Sequence, residues 1–373
     1  MRILIAGRGY SDRDKEQMGI FEWDQARALA AAGHDVRFAA VDTRSVRHGR
    51  PLGFRQFDHE GMTVYYESLP GVPGSLQRRV QSLASVRLWQ GVRRSGWTPD
   101  VVHAHFGASV LEPAKRRGIP CVYTEHLSMV NRESLSPGEL SWLRHTYSLP
   151  DRLICVSRPL ADSVREHTGV PARVVCNVVD TETFSRRETV PSAGPFRFAA
   201  AGNLIERKGY DLLLDALAEV RARGFDAVLA VAGGGEEESA LREQAVRLGL
   251  EDRVEFLGRR PRTEIAELYC RSDAFVLASR RETFGVVYIE AMAAGLPVIA
   301  TVCGGPEDFV REDNGILIPP EDVRALADAM ERMIRTRDRY DSDAIARFAR
   351  DSFSPGAVAA ELERIYREIC PKV

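Results

Sequence analysis

Lysine is scarce: of the 51 basic side chains in 373 residues, only Lys15, Lys115, Lys208 and Lys372 are lysines. A lysine inside a motif is therefore not there by compositional default. Excess charge of either sign is missing too. The 51 cations face 53 carboxylates, a net charge of -2 at pH 7, which leaves no global attraction for nucleic acid and excludes it as an expected partner. The balance hides an asymmetry, because residues 1–185 carry 24 basic and 20 acidic side chains and the remainder 27 and 33. Cysteine pairs are lacking. The six cysteines are scattered, with no CxxC and no histidine at zinc-ligand spacing, which excludes a disulfide framework and a zinc site. They read as reduced packing residues of a cytoplasmic protein. No apolar run approaches the roughly 18 residues of a membrane span, and MRILIAGRGYSD turns polar too early for a signal-peptide core. Membrane insertion is excluded on this reading; attachment to a membrane surface is not.

What is present is a globular composition, 44% hydrophobic and 28% charged, on a chain long enough for two domains. Short apolar runs alternate with amphipathic stretches: Arg2–Ala6, a helix over 19–32, then Val36–Ala40, Val101–His105, Cys121–Thr124 and Leu153–Val156. That rhythm predicts repeated βα units, with parallel sheets covered by helices on both faces. The class is α/β. The turn-forming stretch Ser185–Pro195 interrupts the rhythm and reads as the interdomain linker. Strands resume at Phe196–Ala201, Ala227–Ala232, Val254–Leu257, Ala274–Leu277 and Pro297–Ala300. Ligands of open parallel sheets bind at the carboxyl ends of the strands, so the residues just after each run are where chemistry is expected.

The first such station, Gly7-Arg8-Gly9, fails as a dinucleotide fingerprint, because Asp12 stands where the third glycine belongs. Gly19 opens the next helix, whose amide end could face an anion; chain reversal alone explains the glycine equally well. Strand Val101–His105 ends in His103-Ala104-His105. Both imidazoles point to one sheet face, and only His105 stands at the strand end. Glu125 and His126 follow the next strand and could bind a polar substrate or hold their loop.

Sharper is Glu206-Arg207-Lys208-Gly209, ahead of a helix expected over Tyr210–Val220. Cations at a helix N-terminus cost roughly 0.3–1 kcal/mol each unless an anion joins them, so Arg207 and Lys208 point to a phosphate or diphosphate. Gly233-Gly234-Gly235 offers backbone that a ligand could approach closely, or a plain tight turn. The run RRETFGVVYIEAM over 280–292 leaves a strand and enters an apolar helix expected over Val286–Pro297. It places Glu282 in the loop and Glu290 just beyond the first helical turn, where two carboxylates can grip separate hydroxyl-bearing parts of one long ligand.

In this order, ERKG, the glycine loop and ETFGVVYIEAMAAGLPVIAT resemble the second domain of the retaining GT-B glycosyltransferases of family four. DVVHAHFG, ICVSRPLADSV, NVVDTETF, VEFLG and CGGPEDFV extend the resemblance over nearly the whole chain. The resemblance implies two Rossmann-like domains whose parallel sheets face a central cleft. An acceptor-binding domain would cover 1–185, a linker 186–195 and a donor-binding domain 196–355, with a C-terminal helix over 356–373 returning to the first domain. It implies retaining transfer of a hexosyl unit from a UDP- or GDP-sugar to a hydroxyl of a saccharide, lipid-linked or small-molecule acceptor. The acceptor would attack from the front face, with no metal and no cofactor.

By position, Arg207 and Lys208 would hold the diphosphate, Glu282 the sugar hydroxyls and Glu290 the ribose diol. Backbone around Phe284, Gly285, Val286 and Val287 would cap sugar and phosphate. His105 would lie near the reacting face, with Gly19, Gly233 and Gly234 along the donor and Glu125 and His126 toward the acceptor. Many relatives carry a Gly-Gly pair in the first loop, where this chain has the polar run Tyr10–Met18.

A basic amphipathic segment, Ser75–Trp97, mixes Leu76, Val80, Leu83, Trp89 and Trp97 with Arg78, Arg79, Arg87, Arg93 and Arg94. Such a pattern suits an anionic membrane at the inner surface or a helix packed on the sheet. Two other functions share the architecture: a nucleotide-sugar epimerase or phosphorylase, separated by product analysis, and a non-catalytic sugar-nucleotide-binding subunit, separated by turnover of the purified chain.

Overall fold

The computed structural model describes residues 1–7, 19–44, 51–72, 76–105, 108–186 and 194–371. Gly9, the run Tyr10–Met18, Phe106-Gly107, Ser75 and most of the expected linker lie outside the described residues. The chain forms two compact units, Met1–Val178 with Pro355–Val373, and Val179–Ser354.

The first unit holds strands β1 (Arg2–Gly7), β2 (Asp35–Asp42), β3 (Gly53–His59), β4 (Met62–Ser68), β5 (Val101–His105), β6 (Cys121–Glu125), β7 (Arg152–Cys155) and β8 (Arg173–Val174). They lie in the order β3-β4-β2-β1-β5-β6-β7-β8. Ile3, Leu4 and Ile5 are all fully buried, as expected of a central parallel strand covered on both faces. The all-parallel expectation is corrected at the edge: β3 runs antiparallel to β4. Their two-residue connection, Glu60 at φ 47° and Gly61 at φ 77°, has the doubly positive φ of a type I′ hairpin, the turn that matches strand twist. The helix Pro355–Ile369 belongs to this unit, and its Val358, Leu362 and Tyr366 join the core cluster of Ile3, Phe38 and Val101.

The second unit holds β9 (Phe196–Ala201), β10 (Ala227–Ala232), β11 (Val254–Gly258), β12 (Ala274–Val276), β13 (Val298–Thr301) and β14 (Gly315–Ile318). Their order is β11-β10-β9-β12-β13-β14, and every pair is parallel. This is a doubly wound Rossmann sheet. The chain enters the unit at Val179, ahead of the expected linker at 186–195, because Phe184 is fully buried against the Tyr269 ring, 5.9 Å away. The helix expected over Val286–Pro297 stops at Ala293. Gly295, at φ 84°, ends it in the left-handed conformation that favours glycine.

Candidate active site

In each Rossmann sheet the strand order reverses beside the first strand, and the crevice at that switch point is where ligands bind. In the second unit this point lies between β9 and β12, and the loops leaving those two strands carry Arg207, Lys208 and Glu282. The Lys208 ammonium contacts Glu282 Oε1 at 2.5 Å, and Arg207 Nη1 stands 4.0 Å from Glu282 Oε2. Ser279, fully buried, donates from Oγ to Glu282 Oε1 at 2.9 Å. The Glu282 backbone N–H donates to the Cys303 carbonyl at 3.0 Å. A lysine ammonium has three donors, so one contact to Glu282 leaves capacity for phosphate oxygens.

Arg207 and Lys208 do not sit on the long helix. They end a separate 3-10 turn, Glu206–Lys208, closed by Gly209 at φ 64°, and the first turn of the helix Tyr210–Ala222 carries Asp211. Asp211 therefore offsets part of the expected dipole cost.

Glu290 is 8% exposed and pairs with Arg262 Nη2 at 3.3 Å. Gly285, at φ 93°, caps the helix Val286–Ala293 with no side-chain hydrogen bond to its first turn, so backbone amides at 286 and 287 present an N-terminus suited to an anion. Phe284 contributes backbone only. Its ring is 1% exposed and packs on Phe309 at 5.2 Å and Phe353 at 5.8 Å. Gly305 presses on the Phe284 backbone, where a Cβ would come within 2.6 Å of Phe284 Cα. Glu307 holds that loop by accepting the Gly304 and Gly305 N–H groups at 2.8 and 2.9 Å.

The glycines at 233 to 235 are each crowded by the protein itself. A Cβ on Gly233 would lie 1.9 Å from the Gly202 carbonyl, one on Gly235 2.2 Å from the Leu204 carbonyl, and one on Gly234 3.2 Å from Arg259 Cγ. Close approach of the protein chain is thus reason enough for glycine at 233 and 235.

In the first unit, β1 lies between β2 and β5, so His105 ends a strand at the switch point. It is 2% exposed. His105 Nδ1 and His126 Nε2 share a hydrogen bond of 2.9 Å, with the rings stacked at 5.2 Å. His105 Nε2 has no partner among the described residues. Burial alone pulls the His105 imidazolium down to about 3, so the ring is neutral, able to donate or accept but not to act as a fixed cation. His103 is structural: its two nitrogens meet Tyr366 Oη at 2.7 Å and Thr124 Oγ1 at 2.6 Å.

A further expectation is corrected. Glu125 is fully buried and accepts the backbone N–H groups of His126 and Leu127 at 2.8 and 2.7 Å and the Tyr147 hydroxyl at 2.7 Å. It holds the loop that carries His126 and is not an acceptor contact. Gly19 caps its helix in the left-handed conformation at φ 81°, and the first turn already carries buried Glu22.

The sequence reading missed Ser279, Arg262 and Glu307, which orient residues it did find. Only Glu307 had a visible signal, a carboxylate just after a glycine pair.

The models described as Glycosyl transferases group 1 and Glycosyltransferase Family 4 match residues 181–350 and 20–183. A glycogen synthase of Mycobacterium tuberculosis is 29% identical over 359 residues, spanning 90% of this chain and 86% of its own. A D-inositol 3-phosphate glycosyltransferase of Frankia alni is 31% identical over 302 residues, spanning 72% of this chain and 74% of its own. Anabaena HepE, solved with UDP and glucose, superposes with a TM-score of 0.75 at 21% identity, over 99% of this chain and 100% of its own. The chain belongs to the GT-B glycosyltransferases of family-four type. It is a hexosyltransferase working on a nucleotide sugar.

Proposed function

We propose that this enzyme moves a hexosyl unit from a UDP- or GDP-sugar to a hydroxyl of a saccharide, lipid-linked or small-molecule acceptor, retaining the anomeric configuration and using no metal. The carrying observation is the cluster of Lys208 and Arg207 around Glu282 at the switch point of the second unit. The acceptor oxygen bonds to the anomeric carbon on the face the diphosphate leaves. Its proton passes to the departing phosphate oxygen, and the bonding pair of the old C–O bond stays with the diphosphate. Arg207 and Lys208 stabilise the charge developing there. Glu282, oriented by Ser279, holds sugar hydroxyls, and Glu290, steered by Arg262, takes the ribose diol. The UDP and glucose held by Anabaena HepE support a uridine donor.

Thermal shift with UDP, GDP and their nucleosides tests the donor. A ligand at a hundredfold excess over its Kd adds about 2.7 kcal/mol of stability, so one diphosphate is expected to raise Tm while its nucleoside does far less. No response to either diphosphate overturns the donor reading. NMR of the product made in excess EDTA tests the rest: an inverted linkage overturns retention, and loss of turnover overturns the metal-free step.

A second surface bears on the acceptor. The helix Leu76–Arg94 carries five arginines and no acid, and exposes Leu76 at 54%, Leu83 at 54% and Val86 at 44%. Trp89 and Trp97, expected on the same face, are buried and donate to the Val110 carbonyl at 2.9 Å and Asp35 Oδ2 at 2.7 Å. The remaining apolar stripe flanked by arginines suits an anionic lipid surface. No described helix is long and apolar enough to cross a membrane. Pelleting with phosphatidylglycerol vesicles at low salt is expected, with loss in Leu83→Asp and at 0.5 M salt; no pelleting at low salt would end the idea.

A further inference from the structure

The turn that carries Arg207 and Lys208 is a single 3-10 turn, too short to hold two cations in place unaided. Outside the proposed contacts, side-chain support for it comes from Arg280, on the loop leaving β12. The Arg280 backbone N–H donates to the Arg207 carbonyl at 2.8 Å, and Nη1 donates to the Glu206 carbonyl at 2.5 Å. Nη1 and Nη2 also fork onto Asp211 Oδ1 and Oδ2 at 2.9 and 2.7 Å, and Nε reaches Glu321 Oε1 at 2.5 Å. One guanidinium thus ties the turn, the following helix and the segment after β14 to the loop that bears Glu282. The tie is reciprocal, because Arg207 Nη1 donates to the Arg281 carbonyl at 3.2 Å. Burial pushes the Asp211 carboxyl up, but hydrogen bonds and charge from Arg280 hold it below the usual carboxylate value.

The geometry points to Arg280 as a positioning residue, one that never touches the donor but sets Arg207 and Lys208 at the spacing a diphosphate requires. This inference rests on the proposed diphosphate role of those two cations. Four of the five N–H donors of the guanidinium are used: a planar fork meets Asp211 while a third and fourth contact meet Glu206 and Glu321. A lysine, a compact charge on a flexible stem, cannot make these contacts together. Arg280→Lys is therefore expected to behave like Arg280→Gln.

The test is a double-mutant cycle read by the Kd of UDP and of GDP, each set against its nucleoside. Arg280→Gln and Arg280→Lys are expected to weaken diphosphate binding about tenfold and leave nucleoside binding unchanged, a split that general loosening of the fold does not produce. In the Lys208→Ala background the same substitution is expected to lose most of that effect. A full tenfold loss in that background, or equal losses for diphosphate and nucleoside, overturns the positioning role alone. Unchanged diphosphate binding in Lys208→Ala itself overturns the site reading, and this inference with it.

Discussion

Lys208→Ala is expected to lower kcat/KM by about 10²–10³-fold, the cost of removing a charged donor from the point where leaving-group charge develops. The ion pair decides how the variant must be read. Lys208 and Glu282 side chains are 13% and 6% exposed, so truncating one strands the other, and removing one partner of a buried pair is costly in its own right. Ser279 still donates to the carboxylate, and the pair is not wholly dry, so the stability loss is about 1–3 kcal/mol. Lys208→Ala with Glu282→Gln separates the effects. Removing the stranded charge is expected to recover most of the lost Tm, while turnover falls well below that of Glu282→Gln alone, which removes the same carboxylate charge and keeps the lysine. Turnover equal to that of Glu282→Gln alone would place Lys208 in folding and not in chemistry. Tm by calorimetry and initial rates with the identified donor are the two measurements.

Much of this site was legible because it is local. ERKG and the two glutamates of ETFGVVYIE each lie within one loop and the helix after it, so their residue types and spacing carry the chemistry without knowledge of the fold. The strands at 2–6 and 227–232 were legible for a related reason: a strand buried on both faces reads as a nearly continuous apolar run. The hairpin β3–β4 escaped because an edge strand such as Phe54-Arg55-Gln56-Phe57-Asp58, half exposed, has weak alternation and no such run. Its one signal was Glu60-Gly61, a two-residue connection that tolerates positive φ.

What joins distant parts of the chain was not legible. His105 meets His126 across 21 residues, Glu290 meets Arg262 across 28, and His103 meets Tyr366 across 263. No local period encodes those pairs. The glycines at 233 to 235 mark the same boundary. A sequence states that space is needed there, but only the fold reveals that the backbone carbonyls of Gly202 and Leu204 occupy it. Glu125 is a further instance, since a carboxylate after a strand looks like a substrate contact until Tyr147 and two backbone amides are found on it.

Gly209→Ala is expected to damage this enzyme nearly as much as losing Lys208, although glycine has no chemistry to lose. Two costs combine there. At φ 64° and ψ 32° an alanine pays roughly 1–2 kcal/mol for the left-handed conformation. Its Cβ would also lie 2.0 Å from the Ala278 carbonyl oxygen and 2.8 Å from the carbonyl carbon. These are backbone atoms beside β12 that cannot swing aside as a side-chain tip would. Relief to ordinary contact requires the turn bearing Arg207 and Lys208 to retreat by about 1 Å, a misplacement worth roughly 10²-fold in rate when it separates catalytic groups from substrate. Gly249→Ala is the matched control: φ is 66° and a Cβ there meets nothing within 4 Å, so it carries the strain without the clash. The control is expected to lose about 1 kcal/mol with full turnover, and Gly209→Ala to lose more than about 2 kcal/mol together with most of its kcat/KM. Equal Tm and equal turnover for the two variants would mean that the contact between Gly209 and Ala278 does not hold the cations in place.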